Sequence, residues 1–433
     1  MSRRTPCFSD EHFSRRGFLQ AGGGALGMAG FSGMVQAEGS KKLQSKQKQI
    51  AVFWMTGGLS QLESWDPKPG VETGGPFQAI PTSVPGVHIS ELLPHTAKQM
   101  HHLALVRGIN TKENNHAKGD YIMQTGYRET PGFEYPYISG AFSYLLSPEK
   151  RTSNLPTNFV LQSKTDYNVD SRLPREASFL GAKHAPIALR GTKPPDNLVL
   201  DRKFSHISQQ RRSALRKRLN KSFSLGRGNA QTEIYNASIE QAQAMMAKRK
   251  LFDFQKLPAK DLDRYGRHPI GKNCLMARQL LENGVPFVKV RHTDYDSHSE
   301  NFNFHLEQVK EEWDKPFALF VNDLAERGML EHVLIIVMCE FGRTPRINQR
   351  VGRDHWGTAW SVALGGCGIK GGAVVGKTNA KGTQVTDREV NGSHLFHTYY
   401  RAVGLDPKED FEFRGRPFHR ADPKASAIKE ILA

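Results

Sequence analysis

Long hydrophobic runs are missing from this sequence: no stretch approaches the ~18 consecutive apolar residues that a membrane-spanning helix requires. Cysteine is scarce, with four in 433 residues, which excludes a disulfide-stapled scaffold. Acidic residues are in deficit: 43 Asp and Glu face 60 Lys and Arg, giving a formal net charge of +17. The sequence holds no internal repeat, no H-E-x-x-H and no G-x-S-x-G, so the zinc-peptidase helix and the nucleophile elbow are both absent. What is present is 38% hydrophobic and 24% charged residues, a balance that excludes a coiled coil or a disordered chain. At roughly 100–200 residues per domain, the length fits two or three domains, or one large α/β domain with insertions.

Residues 1–37 have the form of an address. Arg15-Arg16-Gly17-Phe18-Leu19 precedes a mildly apolar stretch, Ala21 to Val35, that holds six glycines, and Val35-Gln36-Ala37 ends it with small residues before Glu38. A charged start, a short apolar core and an A-x-A-like exit make a secretory signal, and the paired arginines resemble the twin-arginine type. Cleavage after Ala37 would leave a net charge of +15 and three cysteines, Cys274, Cys339 and Cys367. The expectation is a periplasmic or extracellular protein, with the twin-arginine translocase as its partner during export. Such substrates cross already folded, so a metal can be loaded before export, and export separates the chain from nucleic acid despite its charge.

Residues 38–48 are polar and aperiodic, as in a flexible leader, and residues 49–433 form the folded part. Six apolar segments predict strands: Ile50–Met55, Leu103–Arg107, Phe159–Leu161, Phe287–Val290, Val333–Met338 and Trp360–Leu364. Helical patterns lie between them, notably Ile270–Asn283, closed by a Glu282-Asn283-Gly284 cap signal, and Phe304–Arg327. This alternation predicts an α/β fold with a mostly parallel central sheet. Residues 202–250 read as a basic helical insertion, in which Arg211, Arg212 and Arg216 would bind an anionic partner.

Ligands in open α/β sheets bind beyond the carboxyl ends of the strands. The first strand delivers Gly57 and Gly58, then Ser60, Glu63 and Asp66. The second leads to Thr111 and to Asn114-Asn115-His116, where either asparagine can cap a helix whose amino terminus favours an anion. Phe287–Val290 is followed by His292, Asp294, Asp296 and His298, four potential metal ligands within seven residues. Val333–Met338 delivers Cys339, Glu340 and Arg343; Glu340 is a candidate ligand, Arg343 a candidate clamp for a tetrahedral anion, and Cys339 a buried thiol. Asp354 and His355 stand directly before the last strand, again as candidate ligands.

The segments MTGGLSQLESWDPKPG, NNHAKGDYIMQTGY, DRYGRHPIGKNCLMARQLLENGVPFVKV, CEFGRTPRIN and GRDHWGTAWSVALGGCGIKGG resemble the family called domain of unknown function 1501, from about residue 50 to the C-terminus. The resemblance implies an alkaline-phosphatase-like three-layer sandwich, related to sulfatases and phosphatases that bind one or two divalent metals at the carboxyl ends of the sheet. It also implies that Asp296 and His298 correspond to that superfamily's Asp/His metal pair, Glu340 to a further ligand and His355 to the later His of a metal site. Asn115-His116 falls where sulfatases carry their nucleophile. No C-x-P-x-R or S-x-P-x-R occurs, so formylglycine chemistry is not supported.

The resulting expectation is an exported hydrolase of phosphate or sulfate esters. One or two divalent ions, zinc, manganese or calcium, would be held by Asp296, His298, Glu340 and His355, with Asp354, Glu63 and Asp66 as further ligands. Arg343 would stabilise developing charge, and His116, Thr111 or Ser60 would act as nucleophile or proton donor. The alternative is a catalytically degenerate protein that binds acidic polysaccharide through Arg211, Arg212 and Arg216.

Overall fold

A computed structural model describes residues 48–147, 155–162, 173–190, 198, 206–224, 230–292, 295–413 and 415–433. The signal expected at 1–37 and all of the leader but Lys48 lie outside the described residues, as does Asp294. One eight-stranded sheet organises the rest: β1 (Gln49–Met55), β2 (Leu103–Ile109), β3 (Asn158–Gln162), β4 (Ile187–Arg190), β5 (Phe287–His292), β6 (Val333–Met338), β7 (Trp360–Gly366) and β8 (Val374–Val375). Their spatial order is β8-β2-β7-β6-β1-β5-β3-β4. Neighbours run parallel except at β7, which is antiparallel to both β2 and β6. The fold is therefore mixed α/β around a mostly parallel sheet. The wholly apolar β6 and the neighbouring β1 are buried along their full lengths, as expected for central strands covered on both faces.

The longer helices are α1 (His116–Thr125), α2 (Ile138–Leu145), α3 (His206–Ser224), α4 (Ala230–Ala247), α5 (Pro269–Glu282), α6 (Lys315–Glu326) and α7 (Gly392–Ala402). Alternation along the strands assigns them to two layers. Phe53 of β1 meets Phe317 and Phe320 of α6 edge-on, and its register partner Val290 shares that face. Lys289, one residue along β5, points the other way and donates from Nζ to Gln124 of α1 at 3.0 Å. Met338 accepts from the Tyr399 hydroxyl of α7 on the same side. Winding from Asn301 into α6 is continuous, with a π-wound stretch at Leu306–Asp314. No described helix is long and apolar enough to cross a membrane.

Each of the six predicted strands is present, lengthened by one or two residues in all but one case, and α5 is capped by Asn283 with Gly284 left-handed at φ +77°. Two strands carried no usable signal: β4 and the two-residue β8 both sit at sheet edges, where few side chains are buried. Gly371–Thr378 has the G-x-x-x-x-G-K-[ST] spacing of a phosphate-binding loop. Here it forms β8 and a short ribbon strand at Lys377–Thr378, with no helix to follow, so the geometry of such a loop is not met.

The turn after β1 is where the fold first constrains the site. Gly57 adopts φ +105°, and a Cβ there would lie 2.5 Å from the amide nitrogen of Asp296. Gly57→Ala is expected to cost roughly 1–3 kcal/mol, from the positive φ together with the displaced Asp296 backbone. Denaturant unfolding measures this, and an unchanged midpoint would refute the close approach.

Candidate metal centre

Four loops bring their polar residues to one edge of the sheet. Three follow the carboxyl ends of β2, β5 and β6 and carry His116, Asp296 with His298, and Glu340. The fourth precedes β7. Because β7 is reversed, its amino end lies on this same edge, and His355 arrives there from the opposite chain direction. Asn115 caps α1 by accepting from the Lys118 amide, so His116 stands in the first turn at the positive end of the helix.

The three imidazoles are arranged alike. His116 Nδ1 lies 2.9 Å from Glu340 Oε1, His298 Nδ1 lies 2.7 Å from Asp354 Oδ1, and His355 Nδ1 lies 2.7 Å from the Asn114 carbonyl. Every Nδ1 is thus tied back to a carboxylate or a carbonyl. Every Nε2 faces the Asp296 carboxylate instead: His116 at 3.3 Å, His298 at 3.2 Å and His355 at 3.0 Å. Ring nitrogens fixed in this way are the usual preparation of histidine for metal binding. The ligand atoms of His116, Asp296 and His355 lie within 4.8 Å of one another. Imidazole nitrogens with one carboxylate suit a borderline divalent ion such as zinc or manganese better than calcium, which prefers oxygen.

Two of the supports, Arg343 and Glu340, are buried, Asp354 is exposed, and the cluster is open. Arg343 has no exposed surface; its guanidinium donates to the Gly58 carbonyl at 3.1 Å, the Arg353 carbonyl at 3.1 Å, the Gly57 carbonyl, and Asp296 Oδ1 at 2.5 Å. Glu340 accepts from the Gly57 amide at 2.7 Å as well as facing His116, and its Oε2 is buried without a partner among the described residues. Phe341 stacks on His355 with ring centroids 4.3 Å apart and closes the apolar side. Asp296 and His116 keep 45% and 43% of their side chains exposed, which leaves an approach from solvent. Burial alone would raise the Asp296 carboxyl, but hydrogen bonds from His116, His355 and Arg343 hold it far below the usual range. Hydrogen bonds to Asp296 and then to Glu340 lift the His116 imidazole to about 9.

Other expected site residues sit elsewhere. Glu63 is fully buried and pairs with Arg353 at 2.8 Å; burial would raise its carboxyl, and the Arg353 guanidinium brings it below the ordinary value. Asp66 accepts from Thr378 Oγ1 at 2.5 Å and pairs with Lys68 at 3.0 Å. Both acids therefore brace the loop after β1. Ser60 is buried, with its amide donating to His305 Nε2 at 3.3 Å, and Thr111 is buried with its Oγ1 toward the Gly357 carbonyl at 3.4 Å. Asp354 orients His298. The expected anion clamp, Arg343, is turned inward as a strut. Arg211 and Arg212 are exposed and Arg216 half-buried on α3, which carries none of the cluster's residues. The sequence reading missed the Asn114 carbonyl, the Gly57 amide, Arg353 and His305, whose imidazole burial pushes down to about 4. Of these, Gly57 and Asn114 stand in the loops singled out from the sequence, Asn114 as a possible helix cap, whereas Arg353 and His305 carried no signal.

The constellation gathers, at the strand ends of a mostly parallel sheet, side chains of the kind that could hold a metal ion. Residues 47–432 match the family described as protein of unknown function (DUF1501), and the chain belongs to that family. No curated protein matches it. Among solved structures, it is similar to the lipoteichoic acid synthase LtaP from Listeria monocytogenes, with 8% identity over 84% of this chain and 73% of that one and a TM-score of 0.40. A protein in the alkaline phosphatase superfamily from Vibrio parahaemolyticus shares 11% over 84% and 68%, with a TM-score of 0.39. The PsFucS1 sulfatase from Pseudoalteromonas sp. shares 12% over 86% and 71%, with a TM-score of 0.34. Likeness of this degree says nothing about activity.

In chain stripped of divalent ions by a chelator, His116 is expected to titrate at about 9, followed by NMR, with Asp296→Asn lowering it more than Glu340→Gln does. Because the folded value is the raised one, the stabilisation from protonated His116 is full below the ordinary histidine value and is lost as pH rises through about 9. A wild-type His116 titrating at its ordinary value would rule out the two carboxylate contacts.

Proposed function

We propose that this chain is an exported, metal-dependent hydrolase of phosphate or sulfate esters. The observation that carries the reading is the common orientation of His116, His298 and His355, each with Nδ1 held and Nε2 turned to Asp296. The donor set fits one divalent ion, and the buried, unpartnered Oε2 of Glu340 adds an anionic atom beside it. A divalent ion held there supplies Lewis acidity toward an ester oxygen.

The chain's own residues do the positioning. Arg343 fixes Asp296 from inside the protein: its other hydrogen bonds go to backbone carbonyls, so the carboxylate cannot swing away without leaving a buried guanidinium without its counter-charge. Glu340 and the Asn114 carbonyl fix the rings of His116 and His355. Ser60 and Thr111 are closed off by burial, which leaves His116, of the three nucleophile or donor candidates, at the open face. His116 can be a ligand or a proton donor but not both at once, since a metal-bound Nε2 carries no proton. Net positive charge favours anionic esters at long range. Export through Arg15 and Arg16 would put the reaction outside the cytoplasm.

Elemental analysis of purified chain is expected to find about one equivalent of zinc or manganese. Asp296→Asn and His355→Ala should each lose the metal and lower kcat/KM on p-nitrophenyl phosphate or sulfate on the order of 100-fold or more. His116→Gln separates the two roles: metal lost identifies a ligand, metal kept with the rate lost identifies the donor. Folded wild-type chain that neither carries nor takes up divalent ions would refute the proposal.

A further inference from the structure

Helix α3 is inverted relative to a helix resting on a globular domain. Ser213 and Asn220 face α4, where Ser213 Oγ accepts from Gln243 at 2.8 Å and Asn220 donates to Asn236 at 2.5 Å. The aliphatic residues point away: Ile207, Leu215 and Leu219 are 63%, 57% and 59% exposed. At 3.6 residues per turn, these three share an arc of about 120° with Arg211 and Arg218. Arg212 flanks the stripe and is exposed as well, and α3 contains no Asp or Glu. Tyr235 of α4 is also exposed.

We propose that this face of α3 seats on an anionic lipid bilayer. Aliphatic side chains interleaved with arginines, on a helix without acids, match the interface between acyl chains and charged headgroups: Ile207, Leu215 and Leu219 enter below the headgroups, and Arg211, Arg212 and Arg218 pair with phosphates. An acidic polysaccharide would satisfy the cations yet leave the three aliphatic side chains in water. A second copy of the chain would set arginine against arginine. The lipid surface satisfies both halves of the pattern.

The test is co-sedimentation of the purified chain with vesicles of phosphatidylglycerol and phosphatidylcholine, and with vesicles of phosphatidylcholine alone. Heparin retention and light scattering are measured in parallel. Binding is expected on the anionic vesicles only, weakening as salt rises. The triple variant R211Q/R212Q/R218Q should lower partitioning on the order of 100-fold. L215S/L219S should lower it ~10-fold or more while heparin retention stays unchanged. All of these substitutions are on the exposed face, so the unfolding midpoint should not move. Heparin retention without vesicle binding would overturn the proposal in favour of a polymer site. A dimer dissolved by L215S/L219S would overturn it in favour of self-association, and equal binding to neutral vesicles would remove the role of the arginines.

Discussion

The contact between Asp296 and Arg343 organises this end of the molecule. A fully buried guanidinium demands a partner, because an uncompensated interior charge is strongly destabilising. Arg343 finds one carboxylate and three backbone carbonyls, and those carbonyls belong to Gly57, Gly58 and Arg353. One side chain therefore joins the turn after β1, the loop before β7 and the loop after β5. Asp296 is the outward end of that joint: its Oδ1 meets Arg343 from within and the Nε2 atoms of His298 and His355 from the open side, while its Oδ2 faces His116.

Much of this was legible before any coordinates. The apolar runs that became β1 and β6 are long and uninterrupted because central parallel strands are buried on both faces, and the polar residues that trail these strands and β5 had to lie at one edge. That reasoning pointed to His116, Asp296, His298, Glu340 and His355. It misjudged the residues whose partners are remote in the chain. Glu63 looked like a ligand because its ion-pair partner, Arg353, is 290 positions away, and Asp66 looked like one because Thr378 is 312 away. Arg343 looked like an anion clamp because burial of a guanidinium leaves no trace in the neighbouring sequence.

Glu340 shows how a residue can be in the expected place with a different part to play. As an acid directly after the central strand it was read as a ligand. In the fold, its Oε1 accepts from the Gly57 amide and meets His116 Nδ1, so it fixes a ring that in turn faces Asp296. Asp354 does the same for His298, and the Asn114 carbonyl for His355. Each imidazole is thus held by a second group, and of the groups that support the cluster Glu340 and Arg343 are buried while Asp354 stands at the surface.

The short antiparallel ribbon that pairs Gly342 and Arg343 with His355 and Trp356 makes Arg343 and His355 direct register partners. Their separation is a property of two facing backbones, independent of the length of chain that joins them. The segment between them turns at the exposed Val351. It follows that residues could be gained or lost near that tip during evolution, reshaping the rim that a substrate would meet, while the spacing of the cation and the imidazole is inherited unchanged.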